Sequence, residues 1–193
     1  MVPTQRICEA SDFFDRACNG KFKEGLTRKI HLPEITPSAF DSFVGWLYTG
    51  KIRVNRVTDP DETWWISIVD QYILAAYLQC WEFGNRWISF LCDYYSSYCL
   101  LIPPKVVTEK VYASTVRHCG LQRLLAATGV WSVSGFEDES EARLHFSQFV
   151  QSQPAEYIID VMTEMRMVLD YEKTTSFEYS AVNGSFWDRV TGK

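Results

Sequence analysis

Histidine is scarce in this chain of 193 residues, and none of the three present stands where chemistry could use it. His31, His118 and His145 are far apart, with no G-x-S-x-G nucleophile turn and no glycine-rich phosphate loop to go with them. Cys119 follows His118 directly, but neighbours on a helix diverge by about 100° and cannot easily meet. A small hydrolase built on Cys119 with His118 or His145 is the rival reading, and the expectation is a non-catalytic protein. The six cysteines form no C-x-x-C pair and none has zinc spacing to a histidine. No metal and no other cofactor is expected, and the thiols are read as free. Long apolar runs are missing too. Residues 63–103 are rich in apolar side chains, but Asp70, Glu82, Arg86 and Asp93 interrupt them before the ~20 residues that a membrane span needs. The first fifteen residues lack a basic stretch followed by an apolar one, so no signal peptide is expected. Nor is there a basic excess. Residues 1–57 carry nine Lys and Arg against six Asp and Glu, or +3, so a total of −5 leaves −8 for the remainder. That balance excludes direct nucleic-acid binding, and no small-molecule substrate is implied. The expected setting is the cytoplasm, the nucleus or both.

Aromatic residues are plentiful: seven Trp, ten Tyr and twelve Phe. They imply large buried surfaces or exposed ones that meet a partner. Ser11 opens a helix that ends near Asn19-Gly20, and Lys21–Thr27 reads as a loop. Arg28–Leu32 alternates polar and apolar residues, which predicts a short strand halted by Pro33. Residues 36–52, TPSAFDSFVGWLYTGKI, are a well-marked helix. Thr36 is its N-cap, Pro37 its first residue and Gly50 its end, with Phe40, Phe43, Val44 and Leu47 as an apolar face.

Further along, Asp59-Pro60-Asp61-Glu62 predicts a helix capped by Asp59, with Trp65, Ile68, Val69, Tyr72, Ile73 and Ala76 inward. The adjacent Trp64 and Trp65 cannot both face inward, so one is expected at a rim. Another helix covers Trp81–Tyr98. Val107, Val111 and Thr115 share a face of one ending near Gly120, and Leu121, Leu124 and Leu125 begin a short one ending by Gly129. A helix after Glu137–Glu141 turns Ala142, Phe146, Phe149 and Val150 inward. The last starts at Pro154, with Ile158, Val161, Met162, Met165, Val168 and Leu169 at helical spacing.

The W-L-Y-T-G wording of Trp46–Gly50, following Leu32-Pro33-Glu34, resembles the BTB (POZ) domain, a protein-interaction module. Ile7–Phe14, Phe22–Glu24, Ile30–Glu34 and Val69–Leu78 match further family segments in the right order. Residues 104–169 resemble the helical extension found after many such domains in filamentous fungi. The family's domains begin with a strand pair, a helix and a third strand. Only five residues precede Arg6, so those amino-terminal strands are expected to be missing.

The expected fold class is therefore mainly α with a minor β element. An incomplete BTB/POZ-like α+β domain (1–99) precedes a helical extension (100–170) and a mobile tail (171–193). The resemblance implies a protein partner, either a cullin scaffold, for a ubiquitin-ligase substrate adaptor, or a second BTB chain. An oligomerising scaffold or a transcription-associated BTB protein is the alternative. Phe22-x-Glu24 fits the family's cullin-contacting loop, the apolar side chain entering a pocket and the carboxylate accepting hydrogen bonds. Tyr48 is the third candidate partner contact, although its spacing beside Leu47, like that of Trp46, favours the core.

Overall fold

The computed structural model describes residues 3–20, 23–27, 29–33, 35–55, 57–97, 102–134 and 138–172. Ten helices are found there: α1 Thr4–Ala10, α2 Asp12–Asn19, α3 Lys23–Thr27, α4 Pro37–Thr49, α5 Glu62–Tyr77, α6 Trp81–Ser97, α7 Lys105–Ser114, α8 Gly120–Ser134, α9 Glu139–Ser152 and α10 Ala155–Glu172. The helical part of the expected fold class is observed; the β element is not. Lys29–Leu32 is irregular, and the described residues contain no strand. Alternation predicts a strand only where a second one supplies a hydrogen-bonded ladder, and a lone strand is unstable in water.

Local chemistry explains several helix ends. Thr36 Oγ1 accepts from the Ala39 amide at 3.3 Å, and Gly50, in left-handed conformation at φ +65°, donates its amide to Trp46 O at 2.7 Å. Ser11 caps α2 through the Phe14 amide, and its hydroxyl also donates to Leu78 O at the end of α5. The Phe13 amide donates to Leu78 O as well, so α2 starts pinned to α5. At α5 the expected cap is corrected by two residues: Asp61, not Asp59, accepts from the Trp64 amide, at 2.7 Å. Trp64 Nε1 also donates to Asn55 O at 2.8 Å, which ties the helix start to the preceding connector.

Helices α4, α5 and α6 pack around linked aromatic rings. Phe43 stands 5.4 Å from Phe83, Phe83 5.1 Å from Trp46, and Phe14 stacks on Phe43 at 6.4 Å, all within the range of favourable ring pairs. Burying each such side chain stabilises the fold by about 1.5–3 kcal/mol. The inner face of α4 is turned from the expected one. Ala39, Phe43, Trp46 and Leu47 are buried, and Phe40 and Val44 are half-buried. On α5, Leu74 and Ala75 are buried where Ile73 and Ala76 were expected. Trp65 is buried and Trp64 half-buried at the rim, their rings edge to face at 5.1 Å.

The later helices close over this layer. Helix α7 packs on α5, α8 on α6, and α10 along α8, while α9 also rests on α8. Lys110 Nζ pairs with Asp70 Oδ1 at 2.5 Å across the α5–α7 contact. Helix α7 ends at Ser114, short of the expected Gly120, and α8 runs through Gly129 to Ser134. Gly129 does not stop the helix; it lets α10 approach. A Cβ at that position would lie 2.6 Å from Val161 Cγ2 and 2.7 Å from Tyr157 Oη. Polar groups lock the same region: Tyr157 Oη donates to Leu125 O at 3.1 Å and Tyr112 Oη to Asp160 Oδ2 at 2.8 Å. Val150 and Met162, expected inside, are exposed. The side chains of Val168 and Leu169 lie outside the described residues, as does the expected tail from residue 173 onward. Tyr171 and Glu172, assigned to that tail, belong to α10.

Candidate partner-binding surface

The segment expected as a loop at Lys21–Thr27 contains a turn of helix. Phe22 lies outside the described residues. Glu24 sits half-buried in the first turn of α3, where the helix dipole favours a carboxylate. Two residues on, Leu26 is 81% exposed, the most exposed large apolar side chain among the described residues. Sequence reasoning missed it, because a single leucine in a charged stretch carries no periodic signal. The position of α3 is set by Gly25, which lies against the carboxyl end of α2. A Cβ there would meet the carbonyls of Cys18 at 3.1 Å and Ala17 at 3.3 Å, and that of Gly20 more closely still.

Tyr48, whose spacing favoured the core, is on the surface at 44% exposure, whereas Trp46 is buried. Two residues along a helix are about 200° apart, so one of the pair must face away from the aromatic layer. The Arg6 guanidinium lies 5.1 Å from the centre of the Tyr48 ring, a cation–π contact that joins α1 to α4. Glu24 thus sits on α3 against α2, and Tyr48 where α1 meets α4.

The residues of the rival enzyme reading are placed apart by burial. Cys119 is buried, while His118, in left-handed backbone at φ +59°, and His145 are exposed. The turn that carries His118 is held by the start of α8: Gln122 Oε1 accepts from the His118 amide at 2.7 Å, and Gln122 Nε2 donates to Thr115 Oγ1 at 3.0 Å. Among the described residues, no group of three or more His, Cys, Asp or Glu could hold a metal ion. No described helix is long and apolar enough to cross a membrane.

Six helices, from the start of α1 to the last turn of α6, thus form a layer that ends shortly before α7. Residues 7–94, nearly all of that layer, match the family model of the BTB/POZ domain. This part of the chain is a BTB/POZ domain. No curated protein and no solved structure matches the chain. The family assignment makes the BTB/POZ domain a protein-interaction module, whose partners are other proteins or further copies of itself. The helices α7 to α10 fall outside the matched residues.

Proposed function

We propose that the chain is a non-catalytic adaptor of the cytoplasm or nucleus that binds a protein partner through the α3 segment of its BTB/POZ domain. The most concrete partner is a cullin scaffold, which makes the protein a substrate adaptor of a ubiquitin ligase. The observation that supports this is the exposure of Leu26 beside Glu24: an apolar side chain and a carboxylate on one short helix outside the aromatic layer. Phe22 and Leu26 supply apolar surface, and Glu24 accepts hydrogen bonds from the partner's donors. In this reading residues 1–99 form the interaction domain and 100–170 a helical extension whose α7 and α8 brace α5 and α6. Tyr48, with Arg6, is a secondary contact.

The test is capture of purified cullin by the full chain and by Phe22→Ala, Glu24→Ala and Leu26→Ala variants. Capture by the native chain that falls at least tenfold in the Phe22 and Glu24 variants is the expected result. No capture by the native chain, or equal capture by all, overturns the cullin reading. Light scattering then decides whether a second copy is the partner, since a stable dimer without cullin capture points to self-association.

A further inference from the structure

The connector between α4 and α5 carries its charge in two blocks. Lys51, Arg53 and Arg56 come first, then Thr58, then Asp59, Asp61 and Glu62. Residues 57–61 are irregular, with Asp61 extended at φ −77° and ψ 172°, and α5 begins only at Glu62. Two side chains hold this stretch in place. Trp64 Nε1 donates to Asn55 O, and Tyr94 Oη donates to Val57 O at 2.8 Å. Thr58 follows directly; it is exposed, and its hydroxyl meets no partner among the described residues. Asp59, which α5 does not use as its cap, is exposed too, as are Asp61 and Glu62.

We propose that Thr58 is a modification site, phosphorylated by a protein kinase that reads carboxylates on the carboxyl side of its target. Such a kinase lines its substrate groove with Lys and Arg, which pair with carboxylates placed at fixed offsets after the hydroxyl. In the run T-D-P-D-E the first, third and fourth positions after Thr58 are all acidic. The Thr58 hydroxyl oxygen attacks the γ-phosphorus of magnesium-bound ATP. The bond from that phosphorus to the bridging oxygen breaks, ADP leaves, and the hydroxyl proton passes to the kinase's base.

The fold separates Thr58 from hydroxyls of similar spelling. Ser38, Ser67 and Ser134 are each followed three residues later by an acid, Asp41, Asp70 and Glu137. All three serines lie within helices, on α4, α5 and α8. Ser67 and Ser134 also donate their hydroxyls to Trp64 O and Val130 O, each at 2.7 Å. Laying any of them out in a groove requires a turn of helix to unwind, and that local opening costs free energy. Thr58, Asp59 and Pro60 belong to no helix and are free of that cost.

The phosphate adds a charge of about −1.5 to −2 at neutral pH to a stretch that already holds three carboxylates. It enters three residues before Asp61, so the cap on the Trp64 amide is retained and the connector becomes a strongly acidic surface.

The test incubates the full chain with magnesium, ATP and purified casein kinase II. A parallel sample receives the catalytic subunit of protein kinase A, which reads basic residues before its target. The expected product of the first reaction is heavier by about 80 Da and carries the group on Thr58. Thr58→Ala removes that product, and Thr58→Ser restores it. Asp59→Asn combined with Glu62→Gln slows transfer by roughly threefold or more, while leaving the Asp61 cap in place. No phosphate on Thr58 of the native chain overturns the proposal. So does transfer by the basic-directed kinase alone, transfer to Ser38, Ser67 or Ser134 in place of Thr58, or an undiminished rate in the Asp59→Asn, Glu62→Gln double variant. The mapped position reads the same whether or not cullin is captured.

Discussion

Phe43 of the BTB/POZ domain is fully buried among other rings, whereas at Gly129 in the extension two helices meet with no side chain of the glycine between them. The domain is packed by filling volume. Phe14, Phe43, Trp46 and Phe83 each supply a large apolar surface, and ring pairs at about 5–6 Å add a geometric preference. The extension is packed by close approach and by directed bonds such as Tyr157 to Leu125 and Thr108 to Gln153. The first arrangement is vulnerable to subtraction of atoms, the second to their addition. Conservative substitution therefore means different things in the two regions: a smaller residue is the severe change in one, and one extra methyl group is severe in the other.

The largest effect is expected from subtraction in the domain. Phe43→Ala should cost about 3–5 kcal/mol in denaturant unfolding, from lost burial and the cavity left behind. A cost near 1 kcal/mol would mean that the rings are not the centre of the core. Addition in the extension comes next. Gly129→Ala gains about 1 kcal/mol of helix propensity but forces a Cβ against Val161 and Tyr157 at a cost of about 1–3 kcal/mol, for a net loss of up to about 2 kcal/mol. Combining it with Val161→Ala should recover part of that loss, and strict additivity in the double-mutant cycle would break the close-approach account.

The smallest effect is electrostatic. Burial, followed by the charge of Asp160, raises the Glu164 carboxyl on α10 above its usual value of 4.5, while Arg123 opposes the shift. A carboxyl raised in the folded state favours folding below its unfolded pKa, and that contribution is lost as pH rises through the folded one. Stability should therefore fall as pH climbs from about 4.5, and Glu164→Gln should flatten that limb and leave acid stability nearly unchanged. An unaltered profile would remove Glu164 from the account.

Helix positions were legible wherever their signals were local. The Thr36-Pro37 start and Gly50 end of α4 are written in adjacent residues and were found in place. Asp59 and Asp61 flank the same proline and both can cap; the tie from Trp64 to Asn55, nine residues back, accompanies the second. The passage of α8 through Gly129 was illegible for a stronger reason. Its cause is Val161 on another helix, and nothing near Gly129 in sequence announces it. The predicted strand failed similarly, since alternation at Lys29–Leu32 says nothing about whether a ladder partner lies alongside. For the candidate surface, the sequence pointed to Glu24 but placed it on a loop, and it turned Tyr48 inward because helical spacing alone does not fix which of Trp46 and Tyr48 faces out.

Ser11 also bears on the order of events during synthesis. Its hydroxyl bonds to a carbonyl 67 residues further on, at Leu78. The first two helices therefore cannot take their final place when they leave the ribosome, and α2 must wait, with Phe14 exposed to water, until the end of α5 has emerged. At 5–20 residues per second that wait is on the order of several seconds. For that time the first aromatic side chains of the chain are within reach of chaperones.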